Sequence, residues 1–264
     1  MTSASLQPAL FVSHGSPMTA LDQGPFAEAL RRFAEGVQPR ALAVVSAHWE
    51  SHGGIFVTAS NRPETIHDFG GFPRALHELT YPAPGAPDLA RAIVDRLSAA
   101  GYAASAHPTR GLDHGAWVPL HLAWPQAHLP TVQISLPREL GPKALLALGH
   151  ALAPLREQGV LLVGTGGLVH NLGAIDWNEG APPDARAKAF DDWFAAGLAK
   201  LDVEALCDYR ARAPEVALAV PTPEHLHPVF VVLGARLPGD AIETVFEGFQ
   251  HGTLSLRSFA LRPT

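Results

Sequence analysis

The stretch Leu10-Phe11-Val12-Ser13-His14-Gly15-Ser16-Pro17 joins a short apolar run to a histidine and then to turn residues. An apolar run of about four to eight residues bounded by Gly and Pro is typical of a buried strand in a parallel sheet. Such sheets place their chemistry just beyond the carboxyl ends of the strands. The stretch therefore predicts a strand that delivers His14 to a loop at this edge.

The same pattern occurs twice more along the chain. Residues 41–47 form an apolar run that ends at His48, and residues 160–164 lead through a Gly-rich loop to His170. Parallel strands end at one edge of a sheet, so we expect these histidines and His14 to lie near one another. The repetition favours a metal site over a packed core.

Composition and charge restrict the possible functions. The chain has 264 residues, of which 47% are hydrophobic and 17% charged, which is typical of a globular protein with a sizeable core. A net charge of -6 without a basic cluster argues against nucleic acid or an anionic membrane as the main partner, so we expect a small-molecule substrate. The single cysteine, Cys207, excludes an internal disulfide. Neither a signal peptide nor a membrane-spanning run is evident, which predicts a cytoplasmic location.

Strands and helices alternate through most of the sequence. Helices are predicted over 24–37, 88–101, 142–157, 185–201, 203–210 and 223–233, and further strands over 54–60, near 103, and over 131–136, 243–246 and 253–261. The alternation predicts an α/β fold with a central, mainly parallel or mixed sheet flanked by helices on both faces. With no repeat or linker, we expect residues 1–264 to form a single domain, present as a monomer or homodimer.

Two segments lack periodicity, residues 61–84 and residues 109–117. Long loops inside a compact domain are usually functional, so the first is predicted to form a wall of the site. The second is predicted to be a loop with His114 at its centre.

Aromatic side chains in these segments suggest a slot for a flat ring. We expect Phe72 and Trp117 to bind an aromatic substrate together with His67, and core packing under the loop is the alternative for these rings. Arg74 and Arg110 are candidate partners for a substrate carboxylate.

The fourteen histidines divide into two groups. Most of those in polar or mid-helix surroundings are predicted to be surface or hydrogen-bonded residues. Six others lie on loops or element ends beside Gly, Pro or aromatic residues, where ligands and bases belong. These six are His14, His48, His67, His114, His170 and His225.

Converging imidazoles suit a borderline divalent metal, Fe(II) or Zn(II), and without neighbouring cysteines the site is predicted to be catalytic rather than structural. The pair Glu224-His225 leaves two ligand sets open. Glu224 with His14 and His48 would give the two-histidine, one-carboxylate set of iron oxygenases. His225 instead, with His170, would give an all-nitrogen set closer to zinc.

Six motifs carry a resemblance to a known family. They are Phe11-Val12-Ser13-His14-Gly15-Ser16-Pro17-Met18, Val45-Ser46-Ala47-His48-Trp49, Ile66-His67-Asp68-Phe69-Gly70-Gly71-Phe72-Pro73, Asp113-His114-Gly115-Ala116-Trp117, Val169-His170-Asn171-Leu172 and Thr222-Pro223-Glu224-His225. In this order, over nearly the whole chain, they resemble the DOPA-dioxygenase-type, LigB-like (class III) extradiol ring-opening dioxygenases. The large subunit of protocatechuate 4,5-dioxygenase is of the same class.

The resemblance implies a non-haem Fe(II) enzyme that opens the ring of a catechol, such as DOPA or a related catecholic acid, with O2. It also implies that Zn(II) can occupy the site in the isolated protein. By position, His14, His48 and His225 match metal ligands, and His170 matches either a further ligand or the catalytic base. His114 matches an acid or base near the metal.

Three questions stay open at this point. His227, just after His225, departs from the expected pattern and leaves the late ligand undecided. A zinc hydrolase on the same histidines would act without O2. A non-catalytic binding protein of the same fold would show no turnover.

Overall fold

The computed structural model describes residues 5–178 and 180–264. Within these ranges, ten strands run over β1 (Ala9–Ser13), β2 (Ala41–Ser51), β3 (Ile55–Thr58), β4 (Ala104–His107), β5 (Thr131–Pro137), β6 (Val160–Gly166), β7 (Asp240–Phe246), β8 (Phe249–Gln250), β9 (Leu254–Ser255) and β10 (Ser258–Pro263). The same ranges contain eleven α-helices, α1 (Pro25–Glu35), α2 (Arg74–Glu78), α3 (Pro87–Ala99), α4 (His114–Ala123), α5 (Pro142–Leu152), α6 (Pro154–Glu157), α7 (Ala185–Lys200), α8 (Val203–Cys207), α9 (Tyr209–Arg212), α10 (Val216–Ala219) and α11 (Pro228–Gly234). Short 3-10 helices cover Pro17–Leu21 and Leu172–Ala174.

Eight strands form one mixed sheet in the order β4-β3-β5-β2-β6-β1-β10-β7. Its centre is parallel, because β2 pairs with β5 and β6, and β6 pairs with β1. Strands β10 and β7 run antiparallel on one side, and β3 contacts β5 antiparallel on the other. The predicted α/β fold with a central mixed sheet is confirmed.

Both faces of the sheet are covered, which explains the uninterrupted apolar runs of its central strands. Along β2, Ala43 and Val45 belong to a core that includes residues of α3, α5, α7 and α11. The alternate residues Leu42 and Val44 belong to a second core with residues of α1 and α4. The predicted helices on both faces are therefore present.

The carboxyl ends of the central strands lie together. Ser13 of β1 pairs with Gly166 of β6, and the next residue, His14, donates its backbone N–H to the Gly166 carbonyl at 3.0 Å. Strand β2 extends past this edge and carries His48 within it, where its register with β5 shifts between Val45 and Glu50. The strand-end pattern thus predicted the correct edge of the sheet.

Several predicted elements differ from the observed ones. Residues 109–117 were expected as a loop, but α4 begins at His114, where the Asp113 carboxylate accepts from the Ala116 N–H at 3.1 Å as an N-cap. The helix expected over 223–233 begins only at Pro228, after a turn in which His227 N–H donates to the Pro223 carbonyl. The helices expected over 142–157 and 203–210 are each divided into two, and the segment 61–84, expected without regular structure, contains α2.

The closing strand expected over 253–261 is also divided. Its first part is β9, which pairs with β8, and β10 begins at Ser258.

Over the described ranges, none of the helices has both the length and the apolar character needed to cross a membrane.

Candidate active site

Five histidines line one cavity of about 410 Å³ at the carboxyl edge of the central strands. They come from five separate segments: His14 after β1, His48 in β2, His114 at the start of α4, His170 after β6 and His225 before α11. The fold therefore brings together the candidates that the strand-end pattern and the family resemblance selected, with the exception of His67.

Three of the ring nitrogens converge. Nε2 of His48 lies 3.2 Å from Nε2 of His14 and 3.3 Å from Nε2 of His225. Nitrogens that bind one metal ion at about 2.1 Å are roughly 3.0–3.4 Å apart in octahedral or tetrahedral geometry. The two distances, from Nε2 of His48 to Nε2 of His14 and to Nε2 of His225, fall in this range.

In two of these rings, Nδ1, the nitrogen that points away from the cluster, faces a hydrogen-bond acceptor. Nδ1 of His14 is 2.8 Å from the Gly15 carbonyl, and Nδ1 of His225 is 2.9 Å from Oε1 of Glu224. Each acceptor holds the ring proton on Nδ1 and leaves a lone pair on Nε2, the outer-shell arrangement of metal-binding histidines. The donor chemistry therefore fits a divalent metal ion.

Burial keeps these imidazoles neutral. Desolvation, and then the neighbouring histidines, place the pKa of His14 and His225 well below the ordinary value of 6.5. Desolvation and His114 lower the pKa of His48 to about 3, although Asp68 opposes the shift. Neutral imidazole is the form that binds metals, so the cluster is in the required state at neutral pH.

His114 stands beside the converging nitrogens. Among the described residues, His14, His48 and His114 form a group of three that could hold a metal ion, since their ring nitrogens lie within 4.8 Å of one another. Nδ1 of His114 is 2.9 Å from Oδ1 of Asp68, which holds the ring proton there and leaves a lone pair on Nε2, as in His14 and His225. Nε2 of His48 lies 3.2 and 3.3 Å from Nε2 of His14 and His225, and the family resemblance matches His225 to a ligand and His114 to an acid or base, so His14, His48 and His225 are the candidate ligand set.

Asp68 holds His114 through two contacts. Oδ1 accepts the backbone N–H and the ring Nδ1–H of His114, both at 2.9 Å. Burial would raise the pKa of Asp68, but the hydrogen bonds and charge of His114 outweigh it and lower the pKa to about 2. An ionised carboxylate behind an imidazole fixes its tautomer and stabilises its protonated form.

His170 is stacked on His225. The two rings are parallel within 4° and their centroids are 3.5 Å apart. The ring of His170 lines the cavity, and His170 remains a candidate for either a further ligand or the catalytic base.

Glu224 and His225, the two candidates for the late ligand, differ in position relative to the converging nitrogens. Oε1 of Glu224 accepts from the Thr222 hydroxyl at 2.8 Å and from Nδ1 of His225, which places this carboxylate behind the ring rather than at the converging nitrogens. His227 packs near Phe230 and lines a separate depression beside Cys207. Of Glu224, His225 and His227, His225 is therefore the one whose ring nitrogen lies beside Nε2 of His48.

Close packing at one glycine fixes the position of His225. A Cβ on Gly166 would lie 2.0 Å from the His225 carbonyl oxygen, and Gly167 N–H donates to that same oxygen at 2.9 Å. The end of β6 therefore requires glycine, because a side chain would displace the segment that carries His225.

The remaining walls of the cavity are mainly apolar. Phe69 and Phe72 come from the long loop, which confirms that this segment forms a wall of the site. Three other apolar side chains, Leu172, Ile175 and Trp177, come from the segment after β6. A cavity of this size with convergent polar groups at one end suits a small aromatic molecule.

Two residues expected at the substrate lie behind this wall. Trp117 is fully buried and donates its Nε1–H to the Ile66 carbonyl at 2.9 Å. His67 lies 2.9 Å from the Leu79 carbonyl through Nε2, and its ring packs against Phe69 and Trp117. Neither belongs to the set that lines the cavity, so in this structure both support Phe69 instead of facing a bound molecule.

Both candidate arginines also have other partners. Arg74 is exposed and pairs with Glu78 at 2.6 Å, while Arg110 pairs with Asp113 at 3.3 Å and lies over the ring of Trp49. Neither lines the cavity.

Sequence reasoning assigned no role to Asp68 or to the segment from Leu172 to Trp177. Asp68 lies inside a motif that was noticed for its histidine and aromatic residues, and its acidic side chain beside His67 was the available signal. The Leu172–Trp177 segment has no periodic pattern that would mark it as a wall.

Comparisons with known proteins agree with this geometry. A family model described as the catalytic LigB subunit of aromatic ring-opening dioxygenase matches residues 8–259. A 4,5-DOPA dioxygenase extradiol of Beta vulgaris is 37% identical over 267 residues, covering 98% of both chains. A protein of the same name from Escherichia coli K12 is 37% identical over 260 residues, covering 97% of this chain and 95% of its own length.

A solved structure shows the same fold. The crystal structure of an uncharacterized protein from Escherichia coli K12 matches with a TM-score of 0.83 and 32% identity, covering 97% of this chain and 100% of that one. The family match spans all five histidines of the cavity. The chain therefore belongs to the LigB family of aromatic ring-opening dioxygenases and is an enzyme of the extradiol class.

Proposed function

We propose that this enzyme is a non-haem Fe(II) dioxygenase that opens the ring of a catechol with O2, and that His14, His48 and His225 hold the metal. The observation that carries the proposal is the 3.2 and 3.3 Å spacing of three Nε2 atoms, each on a neutral ring, beside an apolar cavity. Three protein ligands leave positions open for substrate, as in iron oxygenases.

The choice of iron rests on the chemistry. Fe(II) supplies, when bound, the electron transfer between a catecholate and O2 that Zn(II), which does not change oxidation state, cannot supply. The all-nitrogen ligand set accepts either ion, so we expect Zn(II) to bind in the isolated protein without supporting turnover.

His114 is assigned to proton transfer. With Nδ1–H donated to Asp68, its Nε2 is free to accept a phenolic proton, and the Asp68 carboxylate stabilises the imidazolium that forms. His170 is assigned as the second catalytic residue, because it lines the cavity beside His225 without sharing its metal-binding position. Phe72 is assigned to packing against the substrate ring, while His67 and Trp117 act through Phe69.

Oxygen uptake tests the proposal directly. Metal-free protein is loaded with Fe(II) under anaerobic conditions and mixed with oxygenated buffer and a series of catechols, beginning with DOPA because relatives are named for it. We expect uptake and a ring-opened product with the Fe(II) protein, and no uptake with protein loaded with Zn(II). Folded Fe(II) protein that consumes no O2 with any catechol would refute the proposal.

The ligand set has its own test, metal stoichiometry. His225→Ala is expected to lose bound Fe(II), whereas Glu224→Gln retains it with affinity lowered by about 10–100-fold, as for other outer-shell partners. His227→Ala serves as the matched control, because its ring lines a separate depression, and it is expected to bind Fe(II) like the unaltered protein.

A further inference from the structure

A two-stranded hairpin outside the central sheet lies against the turn that follows His14. The hairpin consists of β8 and β9, in which Gln250 is opposite Leu254. Oε1 of Gln250 accepts the backbone N–H of Ser16 at 3.0 Å. The hairpin therefore supplies a side-chain acceptor to a backbone group two residues after His14, a proposed metal ligand.

The amide of Gln250 also packs against Gly15. Gly15 has a φ of +65°, a left-handed conformation that favours glycine. A Cβ at this position would lie 2.9 Å from Oε1 of Gln250 and 2.8 Å from Cδ2 of Leu256, so the amide fits a turn that has no side chain here. The carbonyl of Gly15 accepts from Nδ1 of His14 at 2.8 Å. One turn thus links the Gln250 amide to the orientation of the His14 ring.

The Ser16 N–H depends on this one acceptor. Ser16 is 5% exposed, and over the described ranges its N–H donates to no other group. A buried N–H without an acceptor is costly, so a turn that loses Oε1 is expected to shift until the N–H reaches water or another acceptor. Such a shift moves Gly15, and with it the carbonyl that orients His14.

Buried hydrogen bonds hold the hairpin in place. The hydroxyl of Ser255 in β9 donates to Oδ1 of Asp191 at 2.6 Å, and Nε of Arg257, just after β9, donates to Oδ2 of the same carboxylate at 2.9 Å. Asp191 is a buried residue of α7. On the backbone, Ser255 N–H donates to the Val169 carbonyl at 3.1 Å. The hairpin is therefore a fixed support, and a support whose own geometry is held positions a site precisely.

We infer that Gln250 is a positioning residue for metal binding, because its amide oxygen fixes the turn that orients His14. The inference rests on the proposed function, since it requires that His14 is a ligand. Gln250 acts through the backbone of Gly15 and Ser16, so its effect belongs in metal affinity. Groups that orient metal-binding histidines in this way typically change metal affinity by about 10–100-fold when they are altered.

Three substitutions separate the acceptor oxygen from the size of the side chain. Gln250→Leu keeps the size and lacks the acceptor, Gln250→Asn keeps an amide that is one methylene shorter, and Gln250→Glu keeps an oxygen at the same reach. We expect Fe(II) affinity to fall by about 10–100-fold in the first two and to stay within about three-fold in Gln250→Glu. Anaerobic calorimetric titration of each metal-free protein with Fe(II) measures the affinities.

Gln158→Leu is the matched control, because Gln158 is exposed and lies before the amino-terminal end of β6, at the opposite edge of the sheet. Its Fe(II) affinity is expected to equal that of the unaltered protein. Gln250→Asn retains a polar side chain at this half-buried position, so it decides the question if Gln250→Leu does not fold. Fe(II) binding by Gln250→Glu that is as weak as binding by Gln250→Asn would overturn the inference.

The outcomes separate the two proposals. Fe(II) that binds the unaltered protein and the Leu and Asn variants equally tightly would overturn the inference and leave the proposed function intact. Unaltered protein that binds no Fe(II) would overturn the proposed function and this inference with it.

Discussion

Asp68 connects two of the residues in the site. One of its oxygens accepts two hydrogen bonds from His114, and the other lies 3.7 Å from Nδ1 of His48. A single carboxylate therefore sets the orientation of the proposed proton-transfer residue and faces the outer side of a proposed metal ligand. Asp68 is a positioning residue, because it acts through these rings.

Asp68→Asn should separate catalysis from metal binding. The amide can still accept a hydrogen bond but does not stabilise a protonated His114, so kcat is expected to fall by about 10–100-fold while KM and bound Fe(II) change little. Oxygen uptake and metal analysis on the same preparation check this. Asp88→Asn, which alters an exposed carboxylate paired with Arg91, provides the control. Loss of Fe(II) in proportion to activity would contradict the assignment.

The sequence predicted the histidines better than the residues around them. His14, His48 and His170 were found because each follows an apolar run of the sequence, a pattern that follows from the geometry of parallel sheets. In contrast, the choice between the neighbours His67 and Asp68 depends on how the long loop is folded. Local sequence does not determine which of two adjacent loop residues faces a cavity.

Among the elements, prediction was correct where periodicity was strong. Helices α1, α3 and α7 lie within about two residues of the expected ranges, because their apolar residues recur at helical spacing. Helix α4 was missed because it is apolar around most of its surface and contains Pro119. Its cap, Asp113, is the signal that could have indicated a helix starting at His114.

The end of β6 provides the prediction at this scale. Gly166→Ala is expected to displace the His225 segment, because its Cβ would lie 2.0 Å from the His225 carbonyl oxygen. We expect weaker Fe(II) binding and a free energy of unfolding lowered by about 1–3 kcal/mol, as for other overpacked sites. Gly141→Ala is the matched control, since nothing lies within 4 Å of its added Cβ. Calorimetric metal titration and urea unfolding of both variants make the comparison. Equal metal affinity in the two would contradict the argument.

Across the whole molecule, Arg156 joins distant parts of the sheet. Its buried guanidinium donates to both oxygens of Asp240, and to the carbonyls of Gln7, Ala235 and Leu261. These groups lie before β1, just after α11, and in β7 and β10. One side chain therefore ties the amino-terminal entry of the sheet to its antiparallel edge.

Replacement of Arg156 by Met should destabilise the fold without altering the chemistry of the site. The change leaves the Asp240 carboxylate buried without its partner, which costs about 3–5 kcal/mol. Arg138→Met, which breaks an exposed pair with Glu50 at 3.8 Å, is expected to cost less than about 1 kcal/mol. Chemical denaturation of both proteins measures the difference. A loss below about 1 kcal/mol for Arg156→Met would show that its network contributes little.

The clustered histidines make the stability of the metal-free protein depend on pH. Burial lowers the pKa of His48 to about 3 and of His170 to about 4, whereas in the unfolded chain both titrate near 6.5. Below pH 6.5 the unfolded state therefore binds protons that the folded state does not, and the free energy of unfolding falls as pH falls toward 4. Above pH 6.5 this contribution is fully present.

Each such histidine contributes a slope of roughly 1.4 kcal/mol per pH unit in that window. Urea unfolding of metal-free protein at pH 7.5, 6.5, 5.5 and 4.5 is expected to show little change over the first step and a steep loss over the next two. His170→Gln removes one titrating ring, so its curve should be shallower by about one such slope. Identical curves for the variant and the unaltered protein would mean that His170 is not held neutral by its burial against His225.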